Sequence, residues 1–158
     1  PPQEQAEPLT IPVLRSLAAA VSTEVDFTTV LGLLCALFTL ARVDSFLTLC
    51  PDDVQDVGRD RVRVRLSRLK GERRREVVDP VFERLGTCAG EFRPLWTPLG
   101  VVPLCPVLAF RLLRRRARDV GAPTVAPCDT DQALIRRLSH LCARAGVQQK
   151  DPGRVRNR

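Results

Sequence analysis

The spacing of hydrophobic positions changes twice along the chain, and the changes divide it into a helical front, a strand region and a helical back. Thr10 is placed to cap a first helix, whose opening turn accepts Pro12 and whose apolar positions are Leu14, Leu17 and Ala18. Asp26 is read as the cap of a second helix, FTTVLGLLCALFTLAR, which is apolar almost all round and therefore central and buried. A short helix over DSFLTL follows, ended by Pro51 with Asp52 and Asp53. The period then drops to two. Val62, Val64 and Leu66 alternate with Arg61, Arg63, Arg65 and Ser67, the pattern of a half-buried strand. The turn at Lys70-Gly71-Glu72 leads on to Glu76-Val77-Val78, which predicts a basic hairpin.

Residues 80–104 carry no sustained period; a third strand fits within GEFRPLWTPLGVVPL, with Trp96 as a packing residue. From Pro106 a helix resumes, with Val107, Leu108, Phe110, Leu112 and Leu113 on one side and Arg111, Arg114, Arg115, Arg116 and Arg118 on the other. After a loop rich in Pro, Gly and Cys, Thr130 and Ala133 open a last helix through Leu134, Leu138, Leu141 and Cys142, closed by Gly146. The expected fold is a mostly helical α+β domain: a helical bundle with a small antiparallel β-sheet over residues 9–150. A proline-rich acidic linker precedes it at 1–8 and a basic tail follows at 151–158.

The 158 residues are enough for one domain with a core of its own. The sequence opens on proline and contains no methionine, and is read as part of a longer protein. Its longest apolar stretch, Val30 to Leu40, is too short to span a bilayer, and no secretory leader is visible. None of the six cysteines forms a C-x-x-C pair, and His140 is the one histidine, so neither a metal site nor any other cofactor is expected. A reducing compartment fits these cysteines better than a disulfide scaffold.

Charge adds a direction. Residues 1–57 hold two basic groups against eight acids, whereas residues 58–158 hold 23 against ten. A genome rich in G and C also favours arginine, but codon bias alone does not gather arginines in one half. The asymmetry points to a polyanion partner. Two residues stand out chemically. Arg42, at the junction of the most hydrophobic helix and the next, needs an anionic partner: either a bound phosphate or Asp44, Asp52 or Asp53 nearby. Lys70, one of two lysines, sits at a hairpin tip, where it either reaches a phosphate and donates a proton or is an ordinary solvated turn residue.

The order of these features resembles a family. The stretch Leu40-Ala41-Arg42-Val43-Asp44-Ser45-Phe46-Leu47-Thr48-Leu49-Cys50-Pro51-Asp52-Asp53-Val54 is similar to the first arginine box of tyrosine recombinases of the phage-integrase type. Arg42 matches the family's arginine and Asp53-Val54 its Asp-hydrophobic pair, while Ser45 stands where glutamate is usual. VRVRLSRLKGERRREVV resembles the family's β-hairpin, with Lys70 as its lysine. Leu104-Cys105-Pro106-Val107 looks like the lead-in to the next helix in recombinases of DIRS- and Crypton-type mobile elements. RRLSHLCARAGV resembles the helix before the second, His-x-x-Arg, box.

The resemblance implies a fold like the recombinase catalytic domain and a chemistry in which a tyrosine attacks a DNA phosphodiester. Arginines and a histidine hold the phosphate, and the lysine assists departure of the sugar oxygen. Carried onto this chain, the roles fall on Arg42 and Lys70, with Arg156 in the second arginine's place, while Arg68, Arg73, Arg74, Arg75 and Arg154 are expected to bind DNA. Gly153 stands where the histidine is expected, and the chain contains no tyrosine. DNA binding without covalent capture is therefore expected, in a nucleus if the source is eukaryotic and otherwise in a cytoplasm. The family implies self-association on DNA; no membrane and no small-molecule substrate is expected. A second reading stays open, in which a non-catalytic basic helical module binds nucleic acid or an acidic protein. A weaker third sets the cationic, amphipathic RLLRRRAR helix on a membrane surface.

Overall fold

The structure, a computed structural model, describes residues 9–40, 43–70, 74–86 and 89–147, and for residues 43, 68–70 and 74–76 it describes the backbone alone. Its elements run α1 (Ile11–Ala19), α2 (Glu24–Thr39), α3 (Val43–Leu47), β1 (Val54–Asp56), β2 (Arg61–Val64), β3 (Leu66–Lys70), β4 (Arg74–Val78), β5 (Val81–Glu83), β6 (Leu95–Thr97), β7 (Gly100–Val102), α4 (Pro106–Asp119) and α5 (Asp131–Ala145). Single 3₁₀ turns at Pro51–Asp53 and Gly90–Phe92 complete the path. The class is α+β, as expected. In place of one small sheet, the described residues form three antiparallel ones: β1-β2-β5, β3-β4 and β6-β7.

The helices start where local chemistry supplies hydrogen-bond acceptors for their first amides. Thr10 caps α1 and accepts from the Val13 amide, and Thr130 caps α5 and accepts from the Ala133 amide. At α2 the expected cap moves. Thr23 is the cap residue, and Asp26 sits three residues inside, where its carboxylate accepts from the Thr23 amide while the Thr23 hydroxyl accepts from the Asp26 amide. That reciprocal capping box satisfies two orphan donors, which a lone cap at Asp26 would leave open. The helix also stops at Thr39, short of Arg42, because Leu40 turns into the left-handed region at φ 51°.

The strand that alternation predicts over 61–67 divides at Arg65. Its first part, β2, is central in the three-stranded sheet, with Val54↔Val64 pairing to β1 and Val62↔Phe82 pairing to β5. Its second part, β3, forms the expected hairpin with β4, in a register from Leu66↔Val78 to Lys70↔Arg74. Strands β1, β5, β6 and β7 have three residues each, too few to reveal a period. The register of β6 and β7 also corrects the role of Trp96. Leu95 and Val102 face inward at 0% exposure, so the alternate pair Trp96 and Val101 faces out, with Trp96 69% exposed rather than packed.

The core forms around α2, which packs against α1, α4 and α5 through Phe27, Val30, Leu31, Leu34 and Cys35. Gly32 lets this helix approach the 120–130 loop, for a Cβ there would meet Pro127 Cδ at 2.9 Å. Helix α4 lies between α2 and the β1-β2-β5 sheet, turning Phe110 onto Phe82 with ring centroids 5.6 Å apart and covering Val62 and Val64. Among the described residues no helix is long and apolar enough to cross a membrane.

Leu40 is 91% exposed and is the one described non-glycine residue with positive φ. A left-handed L-residue costs roughly 1–2 kcal/mol, and here no burial offsets that cost. Leu40→Gly is expected to stabilise the fold by about 1 kcal/mol, read as a higher urea midpoint with an unchanged m-value.

Candidate nucleic-acid interface

The residues expected to serve DNA chemistry fall in three chain segments: residue 42, residues 68–75 and residues 154–156. Arg42 lies outside the described residues, directly before α3. Lys70 closes β3, and its backbone pairs with that of Arg74; Arg68 is opposite Glu76, and Arg75 opposite Leu69. For Arg68, Lys70, Arg74 and Arg75 only the backbone is described, and Arg73, Arg154 and Arg156 lie outside the described residues. Helix α3 packs against β3, so residues 43–47 and the first strand of the basic hairpin are neighbours in the fold. His140 is exposed on α5.

The arginine side of α4, which in the sequence looks like a free cationic face, is largely used inside the molecule. Arg111 Nε lies 2.9 Å from Asp56 Oδ1, and Arg114 Nη2 donates to both oxygens of the same carboxylate, at 3.1 and 3.0 Å. Arg114 also donates through Nη1 to the Val54 carbonyl at 2.7 Å. Arg118 meets Asp52 at 3.2 Å. Arg116 pairs with Glu24 and lies over the Phe27 ring, 4.1 Å from its centroid, with its Nε buried and lacking an acceptor. Burial lowers the Arg116 pKa, and Asp119 acts in the opposite direction. Only Arg115 on this helix is exposed and without a partner. The apolar side of α4 is core, and its cations are mostly tied to carboxylates.

A second junction joins α5 to the start of α2. Arg144 lies 2.6 Å from Asp26 and 2.6 Å from the Ser22 hydroxyl. Partial burial alone would raise the Asp26 pKa. Hydrogen bonds from the Ser22 amide, Arg144, the Ser22 hydroxyl and the Thr23 amide outweigh that and hold it at about 2. At Asp56 burial likewise acts upward, and the hydrogen bonds and charges of Arg114 and Arg111 bring the pKa below its ordinary value.

Other chemistry is sparse. Cys35, Cys50, Cys105, Cys128 and Cys142 are free thiols, and burial pushes Cys35, Cys128 and Cys142 upward, away from the reactive thiolate. Among the described residues no group of His, Cys, Asp and Glu could hold a metal. An open cleft of about 570 Å³ lies between the start of α2, the end of α4 and the loop after it, lined by residues such as Thr28, Leu112, Arg116, Val120 and Pro127. It contains no residue of β3 or β4 and is separate from the basic hairpin.

Two measurements test these junctions. The Asp26 pKa of about 2 lies below the ordinary 3.8, so its contribution is complete above about pH 4 and is lost as pH falls toward 2. Asp26→Asn is expected to lower stability at pH 7 by about 2 kcal/mol and to flatten the acid limb of a stability–pH curve. Asp56→Ala strands two guanidinium groups beside each other, and should lower the urea-derived stability by about 1–2 kcal/mol. Compared with known proteins, the chain matches no family model, no curated protein and no solved structure at a significant level.

Proposed function

We propose that the chain is a DNA-binding module similar to the front half of a tyrosine recombinase catalytic domain, holding the phosphate backbone without cutting it. The supporting observation is the packing of α3, the helix that follows Arg42 in sequence, against β3, the hairpin strand that ends at Lys70. Recombinase chemistry needs a tyrosine nucleophile, and this sequence has none, so the proposal concerns binding and phosphate positioning. Arginine suits the first role because its planar fork grips two phosphate oxygens; a hairpin lysine suits the second as a compact charge on a flexible stem. The competing reading, a module that binds through the arginine side of its helices, loses support because Arg111, Arg114, Arg116, Arg118 and Arg144 are occupied by carboxylates.

Fluorescence anisotropy with labelled duplex DNA tests the proposal. Affinity should fall steeply with added salt, and Arg42→Ala and Lys70→Ala should each weaken binding about tenfold and reduce the salt slope by roughly one. A suicide substrate carrying a nick should leave no covalent adduct. Binding that is strong but indifferent to both substitutions would favour the general basic-module reading, and absence of binding at low salt would remove both.

A further inference from the structure

Most arginines whose side chains are described fall into two sets once their partners are known. One set is used within the molecule: five bind carboxylates from α4 and α5, while Arg15 donates to the Glu91, Arg93 and Pro94 carbonyls and Arg137 to the Pro127 carbonyl. The other set is exposed and unpaired, and two of its members, Arg61 and Arg63, stand side by side on the central strand of the three-stranded sheet. Their direction is enforced from beneath, because Val62 and Val64 are buried at 0% exposure against α4, so strand alternation turns Arg61 and Arg63 outward.

From this we infer that the outer face of the β1-β2-β5 sheet, centred on Arg61 and Arg63, is a second surface that binds the phosphate backbone of nucleic acid. The inference rests on the DNA-binding reading above and extends it to residues which that reading leaves out. Register defines the surface. Arg63 lies between Gln55 of β1 and Val81 of β5, and Arg61 lies opposite Glu83. Glu83 is an exposed acid on this face, yet no ion pair joins it to Arg61. Arg65, next along the row, is only loosely engaged, its Nε 3.7 Å from Asp79. Arg59 and Arg84 add exposed charge at the end of the sheet, beside Asp60, whose carbonyl accepts from the Arg84 amide at 2.8 Å.

Packing gives no reason for two unpaired like charges on one face of a central strand, where they repel each other and any polar strand former would serve. A polyanion relieves the repulsion. Two residues of strand span about 6.7 Å, far enough for the two guanidinium groups to meet separate phosphates of a backbone that carries one charge per nucleotide. Gln55 adds a neutral donor of the kind that also contacts phosphate oxygens. Nucleic acid is favoured over an acidic peptide because the row is regular and because the chain runs straight from β2 into β3, whose hairpin sequence carries Arg68, Lys70, Arg73, Arg74 and Arg75.

Salt titration of binding to a labelled random-sequence duplex separates the possibilities. With Arg61→Thr and Arg63→Thr together, the slope of log affinity against log salt should shrink by about 1.8, corresponding to two phosphates released, and affinity should fall at least tenfold. Arg61→Lys with Arg63→Lys should keep the slope, Glu83→Gln should tighten binding, and Arg136→Gln, an exposed arginine of α5, should leave the slope unchanged. Circular dichroism and the urea midpoint verify that each variant is folded; if the threonine pair is not, Glu83→Gln and single Arg63→Gln decide, by opposite shifts in affinity. A wild-type chain that binds DNA with steep salt dependence while Arg61→Thr/Arg63→Thr binds identically would overturn the inference and leave the DNA-binding reading standing. A wild-type chain that does not bind DNA would fail the reading itself. Polyglutamate competing as well as unlabelled DNA, through the same two arginines, would overturn the inference in favour of an acidic protein partner.

Discussion

The placement of α4 depends on one carboxylate. Asp56, the last residue of β1, receives both Arg111 and Arg114 from successive turns of the helix, and Arg114 also reaches the Val54 carbonyl of the same strand. Charge-assisted bonds of this kind are directional as well as strong, so they set how the helix crosses the sheet. The apolar contacts follow from that crossing: Phe110 meets Phe82, and Val62 and Val64 are shielded from water. With the inner face of the sheet covered by α4, its outer face is left to arginines and solvent. The inner carboxylate and the outer basic row are two consequences of one strand alternation.

The same pairing reshapes the electrostatics. Read linearly, the chain has an acidic front and a basic back; folded, the two halves partly neutralise each other. Glu24, Asp26, Asp52 and Asp56 from the front accept Arg116, Arg144, Arg118 and the Arg111–Arg114 pair from the back. An exposed pair such as Arg118 with Asp52 is worth little singly, whereas Asp26 and Asp56 each collect several charge-assisted hydrogen bonds. Their collective effect is one of position: they withdraw positive charge from α4 and leave it on the sheet and, by sequence, on the hairpin. A net charge of +7 therefore says that a polyanion is attractive, while the pairing says where on the molecule it is not held.

Much of the secondary structure was legible because its signals are local. Thr10 and Thr130 cap helices where expected, α4 begins at Pro106 after Cys105, α5 ends at Gly146, and the basic hairpin forms about the segment after Lys70. The misreadings have specific causes. Asp26 has the chemistry of a cap but serves three residues inside one, since Thr23 and Asp26 satisfy each other's backbone and a single cap residue does not. Trp96 is expected to pack, whereas the parity of β6 gives the inward position to Leu95. Arg61 and Arg63 appeared only as the polar half of an alternation; nothing local distinguishes a solvated arginine from one offered to a phosphate. The candidate site rests on an order of motifs, Arg42 and then Lys70, and what the fold adds is the packing of α3 against β3.

By itself, then, the sequence determined where most helices and the basic hairpin form, the net positive charge and the lack of tyrosine, because these depend on neighbouring residues or on composition alone. Only the tertiary structure decided which arginines remain available. An ion pair such as Arg114 with Asp56 joins residues 58 positions apart, and no period or local motif records it. The division of the strands into three sheets and the choice of the outward face of β2 were decided at the same level, since both follow from which surface α4 covers.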